Sequence, residues 1–320
     1  MKPWLRLVRW PNLLIIAMTQ FVAWWCILHP LHHLLSLHFG NFLLLCTSTV
    51  LIAAAGYIIN DYWDIRIDAI NKPEKVILER DIPRRLAIIV HWVLNAIALV
   101  LVAFIAFPAG HFEWLMLQLF CIGMLWRYST TWKRQFAIGN VVVALMTALT
   151  IISLIVYEPL LLRLCGKGPF LSQEVLEGLK NTIPNPSFVL FVFAGFAFLL
   201  TWMREIVKDM EDYKGDDAEG CLTLPIRWGL LKSTRFVQAL GFVAILVLAI
   251  MSAGLWRHTS GLNISALYLF GAVIVPLIFL LLRLPKGVSS THYHWASTRL
   301  KLIMVSGILG LLLLHLINYE

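Results

Sequence analysis

The sequence predicts an all-α integral membrane protein, a bundle of nine transmembrane helices with a parallel internal duplication that carries two Asp-rich motifs. Three observations predict it. Of the 320 residues, 60% are hydrophobic and 14% charged, with a mean hydropathy of +0.80, which is far from a soluble globule. Apolar runs of about twenty residues, the length that crosses a hydrocarbon core of ~30 Å, recur along the whole chain. The pattern D-x2-D-x3-D occurs twice, as Asp61, Asp64 and Asp68 and as Asp209, Asp212 and Asp216, each time where an apolar run gives way to polar sequence.

The runs fall at 11–30, 39–59, 86–107, 111–128, 137–157, 187–204, 235–256, 264–283 and 300–318, within a single domain spanning 1–320. Motif 1 occupies 60–75 and motif 2 occupies 204–229. The opening stretch, with Trp4, Arg6, Arg9 and Trp10, suits a short helix at headgroup depth. No small-residue cleavage site follows the first run, so it reads as a retained helix and not as a signal peptide. Placing the N-terminus inside puts 22 of the 26 Lys and Arg residues on that side and leaves Arg163, Lys167, Lys180 and Arg257 on the other. The expected arrangement is therefore multi-pass in the cell inner (cytoplasmic) membrane, with the N-terminus cytoplasmic and the C-terminus outside. The segment 158–186 is the only long external loop and carries no readable motif. The net charge of +8 fits this bias plus attraction to membrane lipids, and nucleic acid is not an expected partner. The five cysteines are scattered singly and read as packing residues. His29, His32, His33, His292 and His294 lack the acidic or thiolate company of a metal site.

Chemistry enters with the motifs. On a helix, Asn60, Asp64 and Asp68 share one face, and Asp61, Asp64 and Asp68 nearly do. Carboxylates held together repel unless a cation joins them, and an all-oxygen donor set suits Mg²⁺. Thirteen of the 18 acidic residues lie in 61–81 and 205–219. The second and sixth spans run in the same direction, so both motifs emerge on one side. Two such clusters can hold more than one Mg²⁺, and the ligand bridging those ions would be a diphosphate whose lipid tail lies in the apolar bundle. The expected substrate is a polyprenyl diphosphate. Mg²⁺ and cations such as Lys75 and Lys133 would stabilise the leaving diphosphate, while the wall keeps water from the allylic cation.

The motifs Asn60-Asp61-x-x-Asp64-x-x-x-Asp68 and Asp209-x-Glu211-Asp212-x-x-Gly215-Asp216, with the loop from Tyr128 and Ser129 to Lys133 and Arg134, resemble the signatures of the UbiA superfamily of intramembrane prenyltransferases. The resemblance implies a bundle around a central cavity, with Asn60, Asp64, Asp68, Asp209, Asp212 and Asp216 as Mg²⁺–diphosphate ligands. It implies Asp64, Asp68, Asp212, Lys133 and Lys75 as the catalytic set. Asn12, Asn60, Asp61, Lys72, Tyr128, Arg134, Asn140, Arg84 and Arg85 are the expected substrate contacts. The run Ile67-Asp68-Ala69-Ile70-Asn71-Lys72-Pro73 is similar to the form in digeranylgeranylglyceryl phosphate synthases and chlorophyll-synthase-like members. It implies transfer to a membrane-associated, geranylgeranylglyceryl phosphate-like acceptor. Such an acceptor calls for a second anion site, for which Lys72, Arg80, Arg84 and Arg85 are the available surplus. The chain departs from the usual continuation at Lys72, Lys75, Val76 and Glu79-Arg80-Asp81. An aromatic acceptor of the 4-hydroxybenzoate, naphthoate or homogentisate type, as in quinone biosynthesis, is the alternative. From another class, a secondary transporter is the competing reading, against which stand acids at helix ends and a parallel repeat.

Overall fold

The computed structural model describes residues 2–31, 35–71, 76–165, 186–257, 263–286 and 289–318. Their regular structure is helical apart from one bridge between Leu78 and Ile82. Among the described residues eight helices are long and apolar enough to cross a membrane, which makes this a multi-pass membrane protein. Its outer faces carry large apolar side chains in the open, among them Phe104 at 67% and Phe242 at 65% exposure, as lipid contact requires.

The chain starts with α1 (Lys2–Leu7) and α2 (Trp10–Ala23), the latter prolonged to Leu28 by a wider turn. Between them Arg9 takes a left-handed φ of 52°, which re-aims the chain into the membrane. Next come α3 (Phe39–Asn71) and its antiparallel neighbour α4 (Arg84–Ala109). The loop between them tucks Ile77, Leu78 and Ile82 against Leu7 and Ile58.

Helix α5 (Glu113–Thr130) corresponds to the fourth expected span. It is not among the eight, because Glu113, Gln118 and Arg127 lower its hydropathy. It still runs the length of the bundle: near its start Trp114 stacks on Tyr157 at the end of α6 (Ile138–Val156), and the turn after its last residue reaches motif 1. A short α7 (Pro159–Cys165) follows, and the rest of the expected external loop lies outside the described residues, as do His32 and His33. Buried Glu158 is satisfied by the backbone N–H groups of Ser36 (2.9 Å) and Leu37 (2.8 Å), pinning this end of the bundle.

Helix α8 (Pro186–Glu211) is the second motif-bearing helix and packs along α6, α11 (Leu230–Arg257) and α14 (Ser290–Asn318). Between α8 and α11 lie two short helices, α9 (Tyr213–Ala218) and α10 (Leu224–Trp228). Helices α12 (Ile264–Tyr268) and α13 (Val275–Arg283) are joined by a wider turn and together make one span. Two apolar clusters hold the assembly. One, centred on Trp24, Phe42, Leu154 and Leu190, closes the end far from the motifs, and the other, centred on Met203, Val237, Leu277 and Leu300, seats α8 against the last three spans.

Candidate active site

A cavity of about 740 Å³ opens between α2, α3, α5, α6, α8 and α14. Its walls are apolar toward Ile15, Ile52, Leu125 and Met146, and both acidic motifs stand on its polar wall. Of the expected site residues, Asn12, Asn60, Asp61, Asp64, Asp68, Tyr128, Lys133, Arg134, Asp209, Asp212 and Asp216 all line it.

Motif 1 sits on one continuous helix. Because α3 runs unbroken to Asn71, Asn60, Asp64 and Asp68 follow one another down a single face. Each of two acids meets a cation delivered from elsewhere. Arg9 Nη2 donates to Asp61 Oδ1 at 2.7 Å, and its guanidinium lies 5.0 Å from the Tyr57 ring centre. Burial, the largest single influence, works against the Arg9 charge, and Asp61, Tyr57 and Asp68 together outweigh it, so the guanidinium stays charged. Lys133 Nζ is paired with the Asp64 carboxylate. Burial draws the Lys133 amine below its ordinary value, with Asp64 opposing. A glycine positions this lysine: a Cβ at Gly139, at the start of α6, would fall 2.8 Å from Lys133 Cα. The turn Trp132–Arg134 can therefore press onto α6 and aim Lys133 inward.

Motif 2 has the same spacing on a different backbone. Helix α8 stops at Glu211, Asp212 takes φ −92° and ψ 8°, and α9 restarts with Asp216 inside it. Asp209 accepts a hydrogen bond from Asn140 Nδ2 at 2.7 Å. Asp216 is buried, at 8% exposure, and its carboxyl is pushed up to about 7, chiefly by burial and then by the charges of Asp212 and Asp64. Helix α9, which carries Asp216, packs against α3 and both acids line the one cavity, so the two motifs face each other. Just beyond, Leu222 N–H donates to the Arg134 carbonyl at 2.8 Å, tying the motif 2 segment to the Lys133 turn.

The donors suit a hard cation. They are carboxylate and amide oxygens, they repel one another, and Asn60 Oδ1 is buried with no hydrogen-bond partner. Among the described residues no three acidic, His or Cys side chains close on one point, so an ion here would be shared between the facing motifs and a ligand's own oxygens.

Other expected residues stand elsewhere. Asn140 is behind Asp209 and not on the cavity wall. Arg84 and Arg85 do not reach the cavity: both are exposed at the start of α4, with the Arg84 guanidinium 4.2 Å from the centre of the Tyr62 ring. Lys72 and Lys75 lie outside the described residues. Six charged cavity residues escaped the sequence reading, namely Arg6, Arg9, Arg204, Glu205, Lys208 and Lys301. The Lys/Arg bias accounts for the five cations among them by topology alone. A signal was available for two of them, since Arg204 and Lys208 sit one helical turn apart, immediately before Asp209.

A membrane helical bundle enclosing an apolar cavity beneath facing acidic motifs is the architecture of an intramembrane lipid-modifying enzyme. The family model described as the UbiA prenyltransferase family matches residues 13–303. The chain is 30% identical over 281 residues, 87% of each chain, to a digeranylgeranylglyceryl phosphate synthase of Korarchaeum cryptofilum. It is 32% identical over 245 residues, 76% of this chain and 75% of the relative, to one of Methanothermobacter thermautotrophicus. A solved structure concerning digeranylgeranylglyceryl phosphate synthase shares the fold at TM-score 0.62, 24% identity and coverage of 97% and 98%. A UbiA homologue from Archaeoglobus fulgidus bound to DMAPP and Mg²⁺ does so at TM-score 0.58, 16% identity and coverage of 96% and 98%. The chain belongs to the UbiA prenyltransferase family and is, by that membership, a membrane-embedded prenyltransferase.

Proposed function

We propose that the protein transfers the prenyl group of a polyprenyl diphosphate to the hydroxyl of a geranylgeranylglyceryl phosphate-like lipid, with Mg²⁺, releasing diphosphate. The observation that carries this reading is the single cavity that joins both Asp motifs to an apolar tunnel. Relatives of this chain named digeranylgeranylglyceryl phosphate synthase support the acceptor, and the homologue holding DMAPP and Mg²⁺ supports the donor and the ion.

Asn60, Asp64, Asp68, Asp209, Asp212 and Asp216 would hold the ion. Bound Mg²⁺ would neutralise the diphosphate and lower the cost of its departure. Lys133, buried beside Asp64, adds a fixed positive charge where the leaving group accumulates negative charge. The allylic C–O bond breaks with its electron pair passing to the diphosphate. The acceptor oxygen then forms the new C–O bond and gives up its proton to the carboxylate-lined rim. Ile52, Leu125 and Met146 keep water away from the allylic cation. Asn12, Tyr128 and Arg134, which line the cavity, would contact substrate, while Arg9 and Asn140 would hold Asp61 and Asp209 in position. Lys72 and Lys75 belong to this proposal on their place in motif 1 alone. The Lys/Arg bias supports a cytoplasmic N-terminus in the cell inner membrane, with the motifs on the cytoplasmic side.

The test is direct. Purified protein with Mg²⁺, a set of prenyl diphosphates and a set of acceptors should yield the prenylated glycerol phosphate by mass spectrometry, and chelator should abolish it. Prenylation of 4-hydroxybenzoate or a naphthoate, with glycerol phosphate ethers ignored, would overturn the acceptor.

A further inference from the structure

The cavity has a second polar wall, formed where α8, α14 and the start of α2 meet, which the diphosphate chemistry does not use. Three cations stand there, Arg204, Lys208 and Lys301, together with Asn12 and one carboxylate, Glu205. Arg204 Nη1 and Lys208 Nζ both reach Glu205, at 2.9 and 2.8 Å, and share its single charge. Lys301 Nζ donates to Asn12 Oδ1 at 2.5 Å, and among the described residues no carboxylate is paired with it. Arg204 Nε is buried with no hydrogen-bond partner. Three positive charges against one negative leave a local excess of two. A guanidinium whose Nε is buried and idle is costly unless something accepts from it.

We infer that Arg204 and Lys301, flanked by Lys208 and Asn12, form an anion subsite for a phosphomonoester, the head group of the acceptor lipid. This rests on the proposed function and deepens it by locating the acceptor's phosphate. The charge matches, since a phosphomonoester carries about −1.5 to −2 near pH 7 whereas an aromatic carboxylate carries one. The spacing matches too: Arg204 precedes Asp209 by five residues on α8, about 7.5 Å along the axis. The two anionic heads therefore lie side by side, one at the Asp motifs and one a turn and a half deeper, with both lipid chains in the same apolar cavity. The cations are an arginine with a free edge and a lysine held by an amide, which suits phosphate oxygens accepting several charged hydrogen bonds. The surplus assigned from the sequence to Arg84 and Arg85 is replaced by residues that line the cavity.

The experiment compares wild type, Arg204→Gln and Lys301→Met in detergent, with geranylgeranylglyceryl phosphate and with the same lipid lacking phosphate. Each variant should raise KM for the phosphorylated acceptor roughly tenfold to a hundredfold, the loss of one charged hydrogen bond, with KM for prenyl diphosphate nearly unchanged. KM for the phosphate-free lipid should be the same in wild type and variants, and Lys301→Arg should restore most of the loss. Unchanged acceptor KM, equal rises in both KM values, or a loss that Lys301→Arg does not recover would overturn the subsite while leaving the prenyltransferase reading intact. A wild type that uses only phosphate-free or aromatic acceptors overturns the acceptor class itself, before any variant is made.

Discussion

The two Asp motifs share one spacing and differ in almost everything that holds them. Motif 1 lies on the unbroken α3 and is charge-compensated from a distance, Asp61 by Arg9 and Asp64 by Lys133. Motif 2 is split between α8 and α9, and its Asp209 receives only a neutral amide from Asn140. Its Asp216 is buried near two other carboxylates and holds its proton up to about 7. The difference teaches that one D-x2-D-x3-D pattern can serve two geometries: a straight arm with two of its three acids ion-paired, and a bent arm divided between two helices.

The largest effect should come from removing one acid on either side. Asp64→Ala or Asp212→Ala each takes a carboxylate proposed to hold the ion from the cavity wall and not from the packed core, so turnover should fall by about a thousandfold or more with the fold retained. Diphosphate release and far-UV circular dichroism check this. Near-normal turnover in both variants would dissolve the facing-motif site.

Next in size is a pair that separates the motifs. Lys133→Met leaves Asp64 without its partner and removes a charge from the leaving-group region, and about a hundredfold loss in kcat is expected. Asn140→Leu removes one neutral hydrogen bond from Asp209, and a loss of about tenfold is expected, read mainly as a higher Mg²⁺ requirement. Steady-state kinetics over a Mg²⁺ series distinguishes them. If Asn140→Leu costs as much as Lys133→Met, the asymmetry between the motifs is wrong.

Smaller still is Gly139→Ala. The new Cβ would meet the Lys133 backbone at 2.8 Å, and relieving it costs about 1–3 kcal/mol and turns Lys133 aside. A lower melting temperature together with a several-fold drop in kcat is expected. A stability loss with kcat intact would mean that the turn does not aim Lys133.

Much of this was legible in advance, for identifiable reasons. Hydropathy over twenty-residue windows follows from the bilayer itself, so the spans could be read, and α5 was the borderline case because Glu113, Gln118 and Arg127 dilute it. The site acids were legible because carboxylates at the end of an apolar run have few structural excuses. The bend at Asp212 was not, since Met210-Glu211-Asp212-Tyr213-Lys214 carries neither Pro nor Gly to announce it. Arg9, Arg204 and Lys301 were hidden for a different reason. Membrane topology by itself accounts for Lys and Arg at span ends, so a cavity-lining cation in that population has no separate signature until the fold shows which ones face inward.

Arg84 and Arg85 make the sharpest test of that last point, and the smallest predicted effect. Both were read as candidate contacts for an acceptor phosphate, and both stand in the first turn of α4, exposed and off the cavity. Cations at a helix N-terminus oppose the helix dipole by about 0.3–1 kcal/mol each, so they are not there to stabilise α4. Arg84 gains back some of that over the Tyr62 ring, at 4.2 Å, on the outer side of the motif 1 helix. What remains is their effect on membrane insertion, for which position beside a span matters and contact with substrate does not. The double variant Arg84→Gln, Arg85→Gln should therefore keep both KM values within about twofold of wild type and leave thermal stability level or slightly raised. Its deficit should appear as reduced insertion or mixed orientation, read by cysteine accessibility at the membrane faces. A selective rise in acceptor KM would return these arginines to the substrate path and show that charge outside the cavity can do what Arg204 and Lys301 are inferred to do within it.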